Sequence, residues 1–397
     1  MNTRTLLIVL LGVLTVASVA HSQESSAQFF SPGVGVIIHH APLYWTDDNG
    51  RTWRDIEPDF RGEQAFATFF LNRSQGWALL ASGDYGETKY GLASTNDSGA
   101  TWSLTHINLT ANPHEIIILP QGHMQFSDVN HGWINLDVES GSAFHGGYLL
   151  RTVDGGKNWT FAGGPSAGEI RFIDPQTGWL VYGGDLWVTH DAAAHWEQVS
   201  VKPPPGIDPK HGAFYHLPVL TDRKHGVMEV NFTSPPTQST DECQQSLFVS
   251  DHAGRNWKFK QMLAREAECK EMVVVSAGDS TVIVADSSGE TLTLKKFDLG
   301  GSTKPTTTSS ALGFLTMVVS ASFVTPQQGW VETTASCKTA CSTCVLKPAH
   351  AESWGGLFQQ CGALLSTSDG GKTWTDITLR QTCVIDSTTW KKTCTRQ

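Results

Sequence analysis

The sequence predicts an all-β chain, a seven-bladed β-propeller of four-stranded antiparallel blades. Three observations carry this: a turn string that occurs six times, a second string that precedes it, and unit spacings of 41 to 56 residues. Self-similarity at about 40 to 50 residues suits a blade of four short strands.

The turn string reads LYWTDDNGRTW from Leu43, LASTNDSGATW from Leu92, LLRTVDGGKNW from Leu149, LWVTHDAAAHW from Leu186, LFVSDHAGRNW from Leu247 and LLSTSDGGKTW from Leu364. In every copy Leu stands three residues before a Ser or Thr, and Trp seven after it. Four copies carry acid, glycine and tryptophan in full: Asp48, Gly50, Trp53; Asp97, Gly99, Trp102; Asp154, Gly156, Trp159; and Asp369, Gly371, Trp374. The fourth copy has Asp191 and Trp196 with Ala193 in place of glycine, and the fifth has Gly254 and Trp257 with His252 in place of the acid. This is hairpin chemistry. The carboxylate accepts backbone N–H groups inside the turn, Gly supplies positive φ, and the Trp opens the next strand and packs back over the turn. The boxes are therefore expected to be structural, and neither metal-binding nor catalytic.

The second string places Phe70, Phe126, Phe172 and Phe323 seven residues before Trp77, Trp133, Trp179 and Trp330, with Gly before each of those Trp residues. Leu220 to Val227 is a variant, and weaker versions begin at Phe29 and Val275. The seven units start near 29, 70, 126, 172, 220, 275 and 323. The sixth, around TVIVADSSGETLTL, keeps a hairpin without the turn string. Together the strings use ten of the 14 Trp, leaving Trp45, Trp187, Trp354 and Trp390 outside the repeat.

The combined pattern, Phe through Gly-Trp to TVDGGKNW and TSDGGKTW, resembles Asp-box (bacterial neuraminidase repeat) propellers, and most of all the photosystem II assembly and stability factor family. The resemblance spans nearly the whole chain beyond residue 22. It implies a non-enzymatic scaffold that engages a protein partner. Members use a basic face for this, whereas here 28 Lys plus Arg face 38 Asp plus Glu, and eight Cys occur.

The amino terminus has a short basic start, an apolar run from Leu6 to Val19 and small residues at Ala20 and Ser22, which predicts a signal peptide over 1–22 and an exported, periplasmic or extracellular product. A single propeller over 23–397 follows, with no membrane span and an expected monomeric state. A net charge of −10 makes nucleic acid and anionic membranes poor partners. A protein or other extracellular macromolecule fits better, and no cofactor is implied.

The cysteines, Cys243, Cys269, Cys337, Cys341, Cys344, Cys361, Cys383 and Cys394, read as disulfides in an oxidising compartment. Cys243 and Cys269 fall in loops on one face of neighbouring blades and are expected to pair. Cys383 with Cys394 would bridge the C-terminal segment, and the other four would staple an insertion at 334–362.

Enzyme signatures are weak. A sialidase needs three arginines, a late Tyr nucleophile and an Asp acid/base, but no Tyr follows Tyr215, and Arg171 belongs to a repeat string. No Gly-x-Ser-x-Gly or His-Glu-x-x-His motif occurs. The alternative to a scaffold is a two-carboxylate glycoside hydrolase acting on an extracellular glycan. The turn string marks one face of the ring, so the long loops share the other, and binding residues are expected there among Tyr85, His145, His211 and Tyr215. A strand at 382–385, within the closing segment 381–397, is expected to complete the first blade.

Overall fold

The computed structural model describes residues 27–396 apart from 39–42, 61–62, 84–88, 108–115, 141–144, 223, 235–241, 279, 302–303, 314–316, 337–359, 379–380 and 386–391. They form seven antiparallel blades: blade 1 over Ala27–Asp55, blade 2 over Gln64–Ile107, blade 3 over Ile116–Phe161, blade 4 over Glu169–Gln198, blade 5 over Gly212–Glu266, blade 6 over Met272–Ala311 and blade 7 over Met317–Asp376. Strands a to d of each blade pair in chain order. Strand a of blade 5 is split into Gly212–Tyr215 and Val219–Leu220, both bonded to Gly226–Thr233. Strand a of one blade contacts strand a of the next around the ring, so these strands are innermost. Among the described residues no helix is long and apolar enough to cross a membrane.

Each of the four Phe strings starts at the end of strand a, not at the beginning of the blade. The backbone register pairs Phe70 with Gly76, Phe126 with Gly132, Phe172 with Gly178 and Phe323 with Gly329. That register explains the glycine. A Cβ on Gly76, Gly132, Gly178 or Gly329 would stand 2.3 to 2.5 Å from the ring of its own Phe, which lies across strand b. The following Trp then turns to the neighbouring blade. Trp77 stacks on Phe126 and Trp133 on Phe172, both at 3.7 Å and 3°, while Trp330 meets Phe29 at 4.8 Å. Phe70, Phe126 and Phe172 also receive the edge of their own blade's box Trp, at Trp102, Trp159 and Trp196. The repeat thus encodes a Trp–Phe–Trp cluster at the junction between blades. Trp45, in strand c of blade 1, takes the corresponding place against Phe70 at 5.7 Å.

Ring closure differs from expectation. Blade 1 draws all four strands from Ala27–Asp55, and the strand Gln381–Ile385 pairs with Lys392–Arg396 in a separate two-stranded sheet. Phe29 lies in the middle of the strand Ala27–Ser31, which already serves as strand a, so blade 1 needs no added strand. Closure is made instead by side chains between blades 7 and 1. Trp330 Nε1 and Ser366 Oγ both donate to Asn49 Oδ1 at 3.0 Å, and the Phe29 N–H donates to Ser322 Oγ. Phe29, Trp53, Trp330 and Ile377 share the core there.

Inner strands are tied by related bonds elsewhere. Gln125 exchanges two hydrogen bonds with the Phe172 backbone, Gln28 donates to the Phe70 carbonyl, and Arg171 donates to the Pro218 carbonyl. Arg171 is enclosed, with burial opposing its charge and Glu169 favouring it. It is a strut between blades 4 and 5.

Candidate functional site

The box turns hold themselves together. In blade 3, Thr152 Oγ1 accepts the Gly156 N–H at 2.9 Å, and Asp154 accepts the Asn158 backbone and side-chain N–H groups at 2.9 and 2.7 Å. Blades 1, 2, 4 and 7 repeat this with Asp48, Asp97, Asp191 and Asp369. The side-chain hydrogen bond from Thr101, Asn158, His195 or Thr373 is the leading cause that holds Asp97, Asp154, Asp191 and Asp369 at about 2. For Asp48, burial pushes upward and the bonds from Thr52 and Thr46 outweigh it. The fourth and fifth residues of each box have positive φ, including Ala192 and Ala193 at 63° and 73° in blade 4. In six blades the N–H of the fourth residue donates to the a–b turn of the same blade, as Gly155 does to Asn130. All carboxylates of these boxes are committed to turn geometry.

The a–b and c–d turns therefore share one face, and the b–c and d–a segments share the other. On that second face the tight b–c turn of blade 4 carries Tyr182 and seats Phe214, each 46% exposed. A Cβ on Gly184 would meet the Phe214 ring at 2.3 Å, and the Tyr215 N–H donates to the Gly184 carbonyl at 2.8 Å. The turn thereby fixes two exposed aromatic rings at the junction of blades 4 and 5.

Of the four residues expected on this face, His211 and Tyr215 are buried. The Tyr215 hydroxyl accepts the Val201 N–H at 3.0 Å, so the segment after blade 4 folds over it. His145 begins strand c of blade 3, and Tyr85 lies outside the described residues. Tyr182 and Phe214 were missed because each sits among ordinary apolar strand residues, and only the fold reveals which rings stay uncovered.

Beneath the aromatic pair lies a polar cluster in blade 5. Glu229, 3% exposed, accepts a hydrogen bond from Gln245 Nε2 at 2.9 Å, and Gln245 is in turn bonded to the Lys270 backbone at both ends of its amide. Burial pushes the Glu229 carboxyl above the usual carboxylate range, against the pull of His216 and Gln245. His216 Nε2 lies 3.0 Å from Asn231 Nδ2. The clue in the sequence was an acid inside the apolar run VMEVNF.

Cys243 and Cys269 form a disulfide with Cα atoms 5.1 Å apart, joining the start of strand c to the segment after strand d. Glu242 and Arg265 pair beside it. The backbone register sets Cys383 opposite Cys394, and Cys361 lies in strand c of blade 7. Cys337, Cys341 and Cys344 fall outside the described residues, as do residues 1–22 and most of the 334–362 insertion.

Fold and site together define an all-β, seven-bladed propeller with self-contained box turns and one loop-bearing face. No family model matches the chain, and no curated protein matches it. Solved structures with a similar fold include the GH93 α-L-arabinofuranosidase of Fusarium graminearum, with TM-score 0.41 and 11% identity over 77% of this chain and 95% of that one. A PL25 ulvan lyase aligns with TM-score 0.45 and 8% identity over 89% and 93% of the two chains. The Nup133 β-propeller domain of Vanderwaltozyma polyspora aligns with TM-score 0.45 and 8% identity over 77% and 90%. These likenesses are of the fold alone. The resemblance to photosystem II assembly factors rests on the repeat strings.

Proposed function

We propose that this chain is an exported, non-catalytic propeller that binds an extracellular macromolecule on its loop-bearing face. The observation that carries it is the exposed pair Tyr182 and Phe214, held by a rigid turn above a sealed acid. Fixed aromatic rings on a scaffold bind with little ordering cost. Burial raises the pKa of Glu229, as suits a proton donor, but its carboxyl is closed off from the surface, and a general acid must reach the atom it protonates. The Cys243–Cys269 disulfide suits an oxidising, extracytoplasmic setting.

A photocrosslinker at position 182 is expected to give a discrete adduct in the native compartment, and one at Val153, exposed in a box turn, none. Equal labelling from both positions, or none from 182, overturns the proposal. The second possibility, a glycoside hydrolase, is favoured by the raised Glu229 carboxyl beside His216. It predicts release of reducing ends from a polysaccharide by the parent protein and not by Glu229→Gln. That result would replace the binding assignment.

A further inference from the structure

The outer flank between blades 4 and 5 holds a cavity of about 580 Å³. It lies where the repeat has lost its box acid. In blades 2 and 4 the box Trp donates its indole N–H to the segment leaving the preceding blade, Trp102 to the Ile56 carbonyl at 2.8 Å and Trp196 to the Gly163 carbonyl at 3.4 Å. In blade 3 Trp159 donates to its own turn, and in blades 5 and 7 Trp257 Nε1 and Trp374 Nε1 are buried without a partner. The preceding segment here runs through Val199 to Pro205 and forms the opposite wall, stiffened by Pro203, Pro204 and Pro205.

The break in the repeat is His252 in place of the box acid. Ser250 Oγ still accepts the Gly254 N–H at 2.9 Å, so the turn closes. Asp251, one residue early, is engaged by His252 and Lys258. Asn256, whose counterparts Thr52, Thr101, Asn158, His195 and Thr373 are bound by the box Asp, has no such carboxylate and lines the cavity. Across from it, His190 Nδ1 is also buried without a partner. The lost Asp leaves Asn256 outside the clamp that holds its counterparts, in the wall of the cavity.

The charge and shape of the walls select a ligand class. Lys202 and Arg255 face one carboxylate, Glu197, so the cavity is cationic on a chain of net charge −10. Trp257, just before strand d, and Phe259 within it both line the cavity, and Phe259 is exposed. Flat rings pack against the C–H face of a pyranose, while the Asn256 amide and the Arg255 guanidinium N–H groups match hydroxyl and carboxylate oxygens. The volume fits a ligand of a few sugar units. One carboxylate alone cannot run two-carboxylate hydrolysis, so the cavity is built to hold a saccharide without cleaving it.

We infer that this flank cavity binds an acidic saccharide, a short oligosaccharide of uronate units, with Arg255 and Lys202 on the carboxylates and Trp257 and Phe259 under a ring. The site is separate from the Tyr182–Phe214 face and does not depend on it.

Calorimetric titration of the full-length protein with trigalacturonate, a neutral galactose trisaccharide and a tri-glutamate peptide tests this. Trigalacturonate is expected to bind at least about tenfold more tightly than either of the others. Arg255→Gln should weaken it about tenfold, and Phe259→Ala, which removes the exposed ring, roughly fivefold. His252→Asp, which restores the Asp clamp on Asn256, should weaken binding without lowering the melting temperature. No detectable binding of trigalacturonate, equal binding of the neutral sugar, tighter binding of the peptide, or unchanged affinity in all three variants each overturns the assignment. Crosslinking from position 182 should be unaffected in these variants, which keeps this test distinct from that of the loop-bearing face.

Discussion

The junction between blades 3 and 4 and the junction between blades 4 and 5 use the same string positions to different ends. At the first, Trp133 stacks on Phe172, Trp196 meets that ring edge-on, and Asp191 binds His195. At the second, Trp179 packs with Leu220, Trp257 keeps its ring but leaves its N–H unbonded, and the box acid is His252. A repeat that keeps its box acid clamps its own turn. One in which a single acid is lost keeps its apolar packing, because that depends on ring shape, and releases its donors to another partner.

The largest expected effect is at the junction of blades 3 and 4. Trp133→Ala removes a fully buried ring and should cost about 3–5 kcal/mol in denaturant unfolding. A cost below about 1 kcal/mol would show that the stack does not support the ring.

Next in size is the disulfide on the irregular side. Replacing Cys243 and Cys269 together by Ser opens a 26-residue loop and should cost about 3.5 kcal/mol by loop entropy. The parent protein should show a comparable loss under reducing conditions, and no loss in either experiment would remove the bridge from the account.

Box acids separate the two junction types more finely. Asp154→Ala should cost about 1 kcal/mol, as loss of a capping carboxylate does, whereas Asp251→Ala should leave stability unchanged because Asp251 caps no turn. The same contrast has a pH signature. Asp97, Asp154, Asp191 and Asp369 are lowered from 3.8 to about 2, so their contribution is fully present above about pH 4 and is lost as the pH falls toward 2. The acid-unfolding midpoint should therefore shift upward in Asp154→Ala and stay in place in Asp251→Ala.

The smallest effect concerns backbone strain in the irregular box. Ala253 has φ 54°, a conformation that glycine adopts freely, so Ala253→Gly should stabilise by about 0.5–1 kcal/mol. A lower melting temperature would mean that the methyl contributes packing worth more than the strain.

What could be read from the chain alone was whatever short-range geometry determines. The alternation of strands, the Ser/Thr–Asp–Gly turn and the glycine beneath each Phe are fixed within a dozen residues, so seven units and a structural role for the boxes were legible. The Cys243–Cys269 pair was legible for the same reason, since both cysteines flank one blade. Tertiary structure alone decided which blade each ring faces. It paired Trp77 with Phe126, closed the ring through Asn49 without the tail strand, and enclosed His211 and Tyr215 under the segment after blade 4. It also left Trp257 unbonded beside a cationic cavity. A turn satisfies its own hydrogen bonds locally, but whether a ring or a donor at a junction finds a partner depends on a neighbour some 45 residues away, whose place only the closed ring sets.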